Sequence, residues 1–167
     1  MISLSYIPLK PLTKGQLWIS HYPGKIGVED KIIQAEIDLS ELKRKKIDIV
    51  VSLLEKEELK TLNVLTLFEL IKKHKFSHYY FPIKDKSVPR DITELNRLLN
   101  DLSLKIRQNK KILLHCNAGL GRSGLIAALL CKKLGVSENP ISYIRKHRPG
   151  AIETKDQEKM ISLLDLA

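Results

Sequence analysis

Apolar and polar positions along the chain fall into short segments of differing period. Gln16-Leu17-Trp18-Ile19-Ser20 has the composition of a strand and stops at the turn residues Pro23 and Gly24, so it predicts the first strand. Asp38-Leu39-Ser40-Glu41 has the form of a capping box, which predicts a helix starting there and running through Lys45. Ile47 to Leu54 reads as a buried central strand, Leu65 to His74 as a helix and His78 to Ile83 as a strand. Asp91-Ile92-Thr93-Glu94 is a second capping box. Beyond it Leu95, Leu98, Leu99, Leu102 and Ile106 recur at helical spacing, which predicts an amphipathic helix facing a sheet. Ile112-Leu113-Leu114 predicts a second buried strand, Leu125 to Leu130 a buried helix and Ser137 to His147 another, with helices to the end. The alternation predicts an α/β fold: a mainly parallel central sheet with helices on both faces. No repeat, low-complexity tract or internal linker interrupts it, so residues 1–167 are expected to form a single domain.

The chemistry concentrates between the second buried strand and the helix after it. His115-Cys116-Asn117-Ala118-Gly119-Leu120-Gly121-Arg122-Ser123-Gly124 places a thiol and a guanidinium at the two ends of one glycine-rich loop. Backbone N–H groups of such a loop form a nest for an anion, and the following helix adds its positive dipole end. Both favour the thiolate, the nucleophilic form of cysteine. The ligand this geometry suits is phosphate, held by Asn117, Ala118, Gly119, Leu120, Gly121 and Arg122. Gly119-x-Gly121-x-x-Gly124 also has the form of a dinucleotide fingerprint, but no second strand and acidic residue follow at the required distance. A triphosphate loop is excluded because no Gly-Lys-Ser/Thr triplet follows the glycines. His115 and Cys116 are adjacent, with no second Cys or His pair at a zinc interval, so neither a metal nor another cofactor is expected.

Cys116 and Arg122 within His-Cys-x-x-Gly-x-x-Arg-Ser-Gly resemble the signature loop of the cysteine-dependent protein tyrosine phosphatase superfamily. Tyr80-Phe81-Pro82-Ile83-Lys84-Asp85 is similar to the general-acid segment of its small dual-specificity branch. Arg148-Pro149-Gly150-Ala151-Ile152-Glu153-Thr154-x-x-Gln157 resembles a downstream segment of the cell-cycle phosphatases of the Cdc14 and kinase-associated type. The resemblance implies a phosphatase-type fold and a cysteinyl-phosphate mechanism. Cys116 would attack phosphorus and Arg122 would grip two phosphate oxygens with its planar fork. Ser123 would assist the sulfur as it leaves, or serve as a helix cap; both roles can coexist. His115 would buttress the loop, since a side chain one residue before the nucleophile points away from the pocket. Asp85 is the expected general acid, with Asp91 as its rival, although the capping box already explains Asp91. Gln157 would orient the attacking water, as the resemblance implies, or reach back within its own capping box, Thr154-Lys155-Asp156-Gln157.

Composition adjusts this picture little. Two cysteines make no disulfide framework; Cys131, nine residues along the helix, lies roughly 13 Å from the loop and is expected in the core. A reducing, cytoplasmic setting follows for a thiolate enzyme. Pro8, Lys10, Pro11 and Lys14 interrupt the apolar N-terminus, so neither a signal peptide nor membrane insertion is expected. The net charge of +10 invites a nucleic-acid reading, but Lys43-Arg44-Lys45-Lys46, Lys72-Lys73, Lys110-Lys111 and Lys132-Lys133 are scattered along the chain, two of the pairs near the ends of predicted helices, and read as solvated, dipole-matched surface. Such a field should still draw anionic substrates inward. The substrate is expected to be a phosphorylated protein bearing phosphotyrosine and, in a shallow pocket, phosphoserine or phosphothreonine, with the enzyme a monomer. Asn117, Ala118 and Leu120 are uncharged and Ala118 and Gly121 differ from RNA-directed loops, which argues against a phosphoinositide or an RNA 5′ end. A phosphate-binding module without catalysis would lack one of Cys116, Arg122 and Asp85; all three are present.

Overall fold

The computed structural model describes residues 1–9 and 12–166; Lys10 and Pro11, two of the residues that interrupt the apolar N-terminus, lie outside them. Five strands form one sheet: β1 (Leu4–Ile7), β2 (Gln16–His21), β3 (Ile49–Ser52), β4 (Ser77–Tyr80) and β5 (Lys111–Cys116). Their order is β1-β2-β5-β3-β4, with only the β1–β2 pair antiparallel. Among the described residues seven helices accompany them: α1 (Lys31–Arg44), α2 (Lys56–Thr61), α3 (Leu67–Lys73), α4 (Ile92–Arg107), α5 (Gly121–Leu134), α6 (Pro140–His147) and α7 (Lys155–Leu163). The expected mainly parallel sheet is found, with β5 at its centre.

Alternation along the strands explains why they read as continuous apolar runs. Ile112 and Leu114 face one core with Ile49, Val51 and the helices α4 and α5, while Leu113 and Val50 face a second core with α1 and α3. α4 buries Leu95, Leu98, Leu99, Leu102 and Ile106 as its spacing predicts. Each leucine so placed contributes roughly 1.5–3 kcal/mol of apolar burial. In α5 every residue except Lys132 and Lys133 is buried, because the helix packs against α4, α6 and α7 as well as the sheet. Cys131 lies in that helix, free and buried, and burial pushes its thiol up to about 12.

The chain departs from the sequence reading at five places. The strand at Leu4–Ile7 was not expected; it is a four-residue edge strand whose pattern shows only once it pairs with β2. α1 begins at Lys31 and not at Asp38, because Asp30 supplies the cap by accepting from the N–H groups of Ile32 and Ile33. Asp38 instead points inward, fully buried, and accepts from the Gly24 amide at 2.9 Å and from Gln34 Nε2 at 2.8 Å. β4 ends at Tyr80: Phe81 and Ile83 still donate to Ser52 and Leu53 carbonyls, but Pro82 between them has no N–H to continue the ladder. α2 was not expected, and α6 starts at Pro140 with Asn139 as its cap, three residues later than Ser137.

The lysine runs take up the helix-end positions expected of a dipole-matched surface, and most gather at one end of the sheet. Lys43 and Arg44, Lys72 and Lys73, and Lys132 and Lys133 occupy the last turns of α1, α3 and α5, and Lys110 follows α4. α1, α3 and α4 lead into the amino ends of β3, β4 and β5, so these cations complement helix dipoles at the end of the sheet opposite the carboxyl end of β5. Lys43, Lys75, Lys105 and Lys110 line a cavity of about 530 Å³ there.

Asp38→Ala would leave the buried Gly24 amide and the Gln34 side chain without partners. The expected loss is about 1–3 kcal/mol in urea unfolding, while an unchanged midpoint would show that Asp38 does not brace this turn.

Candidate active site

The loop after β5 begins on a buried strand and ends inside a helix. Gly119 has φ +69°, and a Cβ there would lie 2.2 Å from the Ser20 carbonyl oxygen, so only glycine lets the loop approach β2 this closely. Two cations from other segments hold the loop carbonyls. Lys25 Nζ donates to Asn117 Oδ1 at 2.7 Å and to the Asn117 carbonyl at 3.2 Å. Arg148 donates to the carbonyls of Ala118 at 3.1 Å and Gly119 at 3.0 Å, and the Leu120 carbonyl accepts from Gly124 and Ile152. In a trans peptide the carbonyl of one residue and the amide of the next point in opposite directions. Carbonyls held outward from Asn117 to Leu120 therefore turn the amides of Ala118, Gly119, Leu120 and Gly121 the other way, as an anion nest requires.

Arg122 is 1% exposed, and its guanidinium is surrounded by acceptors. Nη1 donates to Glu58 Oε2 at 2.7 Å and to the Ile83 carbonyl at 2.9 Å, and Nη2 donates to Glu58 Oε1 at 3.0 Å. Asp85 Oδ1 lies 3.1 Å from Nη2. Burial by itself would lower Arg122, but the Glu58 hydrogen bonds, with the charges of Cys116 and Asp85, hold it above its ordinary value. Burial lowers Lys25 and Arg148, and Cys116 opposes the shift in both. Lys25, Arg122 and Arg148 thus stand about the loop that carries Cys116, itself 3% exposed.

Asp85, and not Asp91, stands against Arg122. Asp91 Oδ1 accepts from the Glu94 amide as the cap of α4, which accounts for it fully. Ser123 does not cap α5: the cap position is Leu120, and Ser123 Oγ is buried with no hydrogen-bond partner among the described residues. His115 is fully buried on the far side of the strand from Cys116, its Nε2 2.6 Å from Ser52 Oγ. Gln157 is also fully buried. Its Oε1 accepts from the amides of Glu153 and Thr154, completing the expected capping box, and its Nε2 donates to the Ser87 carbonyl at 3.1 Å. That last bond ties α7 to the segment carrying Asp85. A Cβ at Gly121 would lie 3.3 Å from Gln157 Nε2, so the same amide borders the loop.

Sequence reasoning missed Glu58, Lys25 and Arg148. Glu58 lies in a run, Glu55-Lys56-Glu57-Glu58, that reads as solvated charge. Arg148 heads the segment that carries Gln157, and Lys25 follows the Pro23-Gly24 turn, but no local pattern separates either from an ordinary surface cation.

Comparison with known proteins places this arrangement. Residues 1–144 match the cyclin-dependent kinase inhibitor 3 family. The chain belongs to that family. The cyclin-dependent kinase inhibitor 3 of Rattus norvegicus is 32% identical over 161 residues, covering 93% of this chain and 75% of that protein. The crystal structure of kinase associated phosphatase with its catalytic-site cysteine changed to serine superposes with a TM-score of 0.85 at 28% identity, covering 96% of this chain and 92% of that one. Tk-PTP in its active form gives 0.70 at 28% identity, with 95% and 94% covered. This family member has the dual-specificity phosphatase fold and is a protein phosphatase acting on phosphoproteins.

The buried histidines set the pH response of the fold. Burial, with a smaller contribution from His78, holds His115 down at about 3, and burial also lowers His21 and His78. These rings stay neutral in the folded chain while the unfolded chain takes up protons near the usual 6.5. Their contribution to stability is complete above that value and is lost as pH falls below it, for His115 down toward about 3. Thermal unfolding followed by circular dichroism should show Tm falling steadily across this window. A Tm that holds or rises on acidification would contradict neutral burial of His115.

Proposed function

We propose that this chain hydrolyses phosphotyrosine, and phosphoserine or phosphothreonine, in phosphoproteins through a phosphoryl group carried on Cys116. The observation that supports this most is the ion cluster at Arg122, which gathers the nucleophile loop, Glu58 and Asp85 about one guanidinium. Phosphate oxygens enter the nest of amides and take the Arg122 donors that face it. Glu58 keeps its two hydrogen bonds and fixes the plane of the fork. Asp85, whose side chain is 56% exposed, gives up Nη2 to the phosphate and is left at the rim as proton donor.

Cys116 Sγ then forms a bond to phosphorus as the P–O bond to the leaving group breaks, and Asp85 transfers its proton to the departing oxygen. In the second step water attacks phosphorus, the P–S bond breaks, and Asp85 takes the water's proton. Ser123 Oγ, buried and unpartnered, is available to donate to the sulfur as it leaves. Gln157 acts first as a strap between α7 and the Asp85 segment; orienting water would require Nε2 to leave the Ser87 carbonyl. The enzyme works as a single cytoplasmic domain, a monomer that uses no metal or other cofactor. Among the described residues no helix is long and apolar enough to cross a membrane. The lysine runs stand at the far end of the sheet, so attraction of substrate to the loop falls to Lys25, Arg122 and Arg148.

A second reading, an inositol-lipid phosphate, draws on Lys25, which brings to the loop a lysine that the loop's own residues lack. Its ammonium is already engaged by Asn117, which favours the protein substrate. A panel of phosphotyrosyl and phosphoseryl peptides, inositol lipids and triphosphate-ended RNA separates these readings. Turnover confined to lipid or RNA would contradict the proposal.

Two substitutions divide the mechanism. Cys116→Ser is expected to abolish turnover of an aryl phosphate while vanadate still binds, because the nest and Arg122 persist. Asp85→Asn is expected to lower turnover by roughly 10²–10⁴-fold with phenyl or alkyl leaving groups and far less with an activated one. Retained turnover in the first variant removes the covalent step. Selective loss in Asp91→Asn, with Asp85→Asn unaffected, moves the acid to the other carboxylate.

A further inference from the structure

His115 is the inner end of a hydrogen-bonded path that runs through Ser52 to His78. Strand register sets Ser52 of β3 opposite His115 of β5, one residue before the nucleophile. Ser52 is fully buried, as is His115, in the layer that otherwise holds Val50 and Leu113. Ser52 Oγ lies 2.6 Å from His115 Nε2 and 2.8 Å from His78 Nε2. His78, on the edge strand β4, is partly buried with its ring edge-on to Phe68 of α3. Three polar side chains in an apolar layer persist only if they satisfy one another.

We propose that Ser52 and His78 are positioning residues for the nucleophile loop, fixing the tautomer of His115 and through it the orientation of the Cys116 peptide. The inference rests on the catalytic reading of Cys116 given above. A hydroxyl has one proton, so if Ser52 donates to one ring it accepts from the other, and two arrangements exist. His115 selects between them. Its ring stays neutral through burial, the Cys116 backbone favours a proton on it, and Nε2 faces Ser52 while Nδ1 makes no hydrogen bond among the described residues. The proton therefore sits on Nδ1, Nε2 accepts from Ser52, and Ser52 accepts from the Nε2–H of His78. Every donor in the chain then points toward the nucleophile.

This arrangement extends to Cys116 the control that Lys25 and Arg148 exert on the next three carbonyls. The Asn117, Ala118 and Gly119 carbonyls are each held by a side chain from another segment, whereas Cys116 is reached through its neighbour in β5, His115, which Ser52 of β3 holds. His78 has no contact with Arg122 or Asp85 among the described interactions, so its influence on catalysis passes through Ser52 and His115.

The test reads the thiol directly and requires no turnover: the pH dependence of Cys116 alkylation by iodoacetamide, with long-range ¹H–¹⁵N spectra of the His115 ring. Ser52→Ala is expected to slow alkylation at neutral pH on the order of tenfold, the equivalent of one lost hydrogen bond, and to move its midpoint to higher pH. Its kcat should fall with KM nearly unchanged, and His115 should become a mixture of tautomers. Ser52→Thr, which keeps the hydroxyl, should restore all of these. His78→Gln, whose amide can still donate to Ser52, should stay near the parent, and His78→Phe should share the defect of Ser52→Ala; this pair carries the test if Ser52→Ala does not fold. A parent spectrum with the proton on Nε2 overturns the proposal. So does a Ser52→Ala variant with the parent's alkylation profile, or a Ser52→Thr variant as impaired as Ser52→Ala. Alkylation shifts as expected in a parent that hydrolyses no phosphoester would instead sink the catalytic reading and leave the histidine chain standing.

Discussion

One buried charge organises the functional end of this molecule. Arg122 is almost inaccessible, and a guanidinium taken out of water costs several kcal/mol unless its hydrogens are met by acceptors. Glu58 meets two of them from α2, Ile83 a third from the chain after β4, and Asp85 approaches from the loop beyond. Removing any one partner leaves the remaining cost in place, so the three segments are obliged to converge where the phosphate loop turns into α5. The catalytic geometry follows from the electrostatics of a single side chain at the first turn of that helix.

The loop itself is held by the same logic with the signs exchanged. Its carbonyls are drawn to Lys25 and Arg148, and peptide planarity converts that pull into a set of amides facing the other way. The turn that brings Lys25 into reach depends on Gly24, whose φ of +100° and close approach to the Lys31 carbonyl admit no side chain, and on Asp38, which receives its amide. The large reservoir of lysine lies at the opposite end of the sheet, where it matches helix dipoles and stands away from the reaction. Charge is thus divided by topology, because helices that return to the amino ends of parallel strands carry their basic last turns with them.

Local patterns in the sequence were legible wherever a residue's role is settled by its neighbours in the chain. The leucines of α4 and the apolar run of β5 belong to this class, and each is found as read. Roles settled across the fold were not legible. Asp38 has the spelling of a helix cap, yet its carboxylate is claimed by Gly24 and Gln34, and Asp30 starts the helix. Glu58 is one acid in an acidic run until Arg122 stands opposite, and Ser52 is one polar residue in a strand until His115 and His78 close on it. The helix ends were blurred for a related reason: Lys46, Lys75 and Asn109 adopt the left-handed conformation that closes α1, α3 and α4, where glycine would have marked the stop.

Phosphoryl transfer to sulfur is the claim on which these assignments converge. Rapid-quench mixing of the enzyme with an aryl phosphate, followed by mass analysis of the intact chain and its peptides, measures that step directly. The account predicts one phosphoryl group per chain, attached to Cys116, forming and decaying at rates that account for steady-state turnover. Turnover without that species, or a phosphoryl group found on any other side chain, would contradict it.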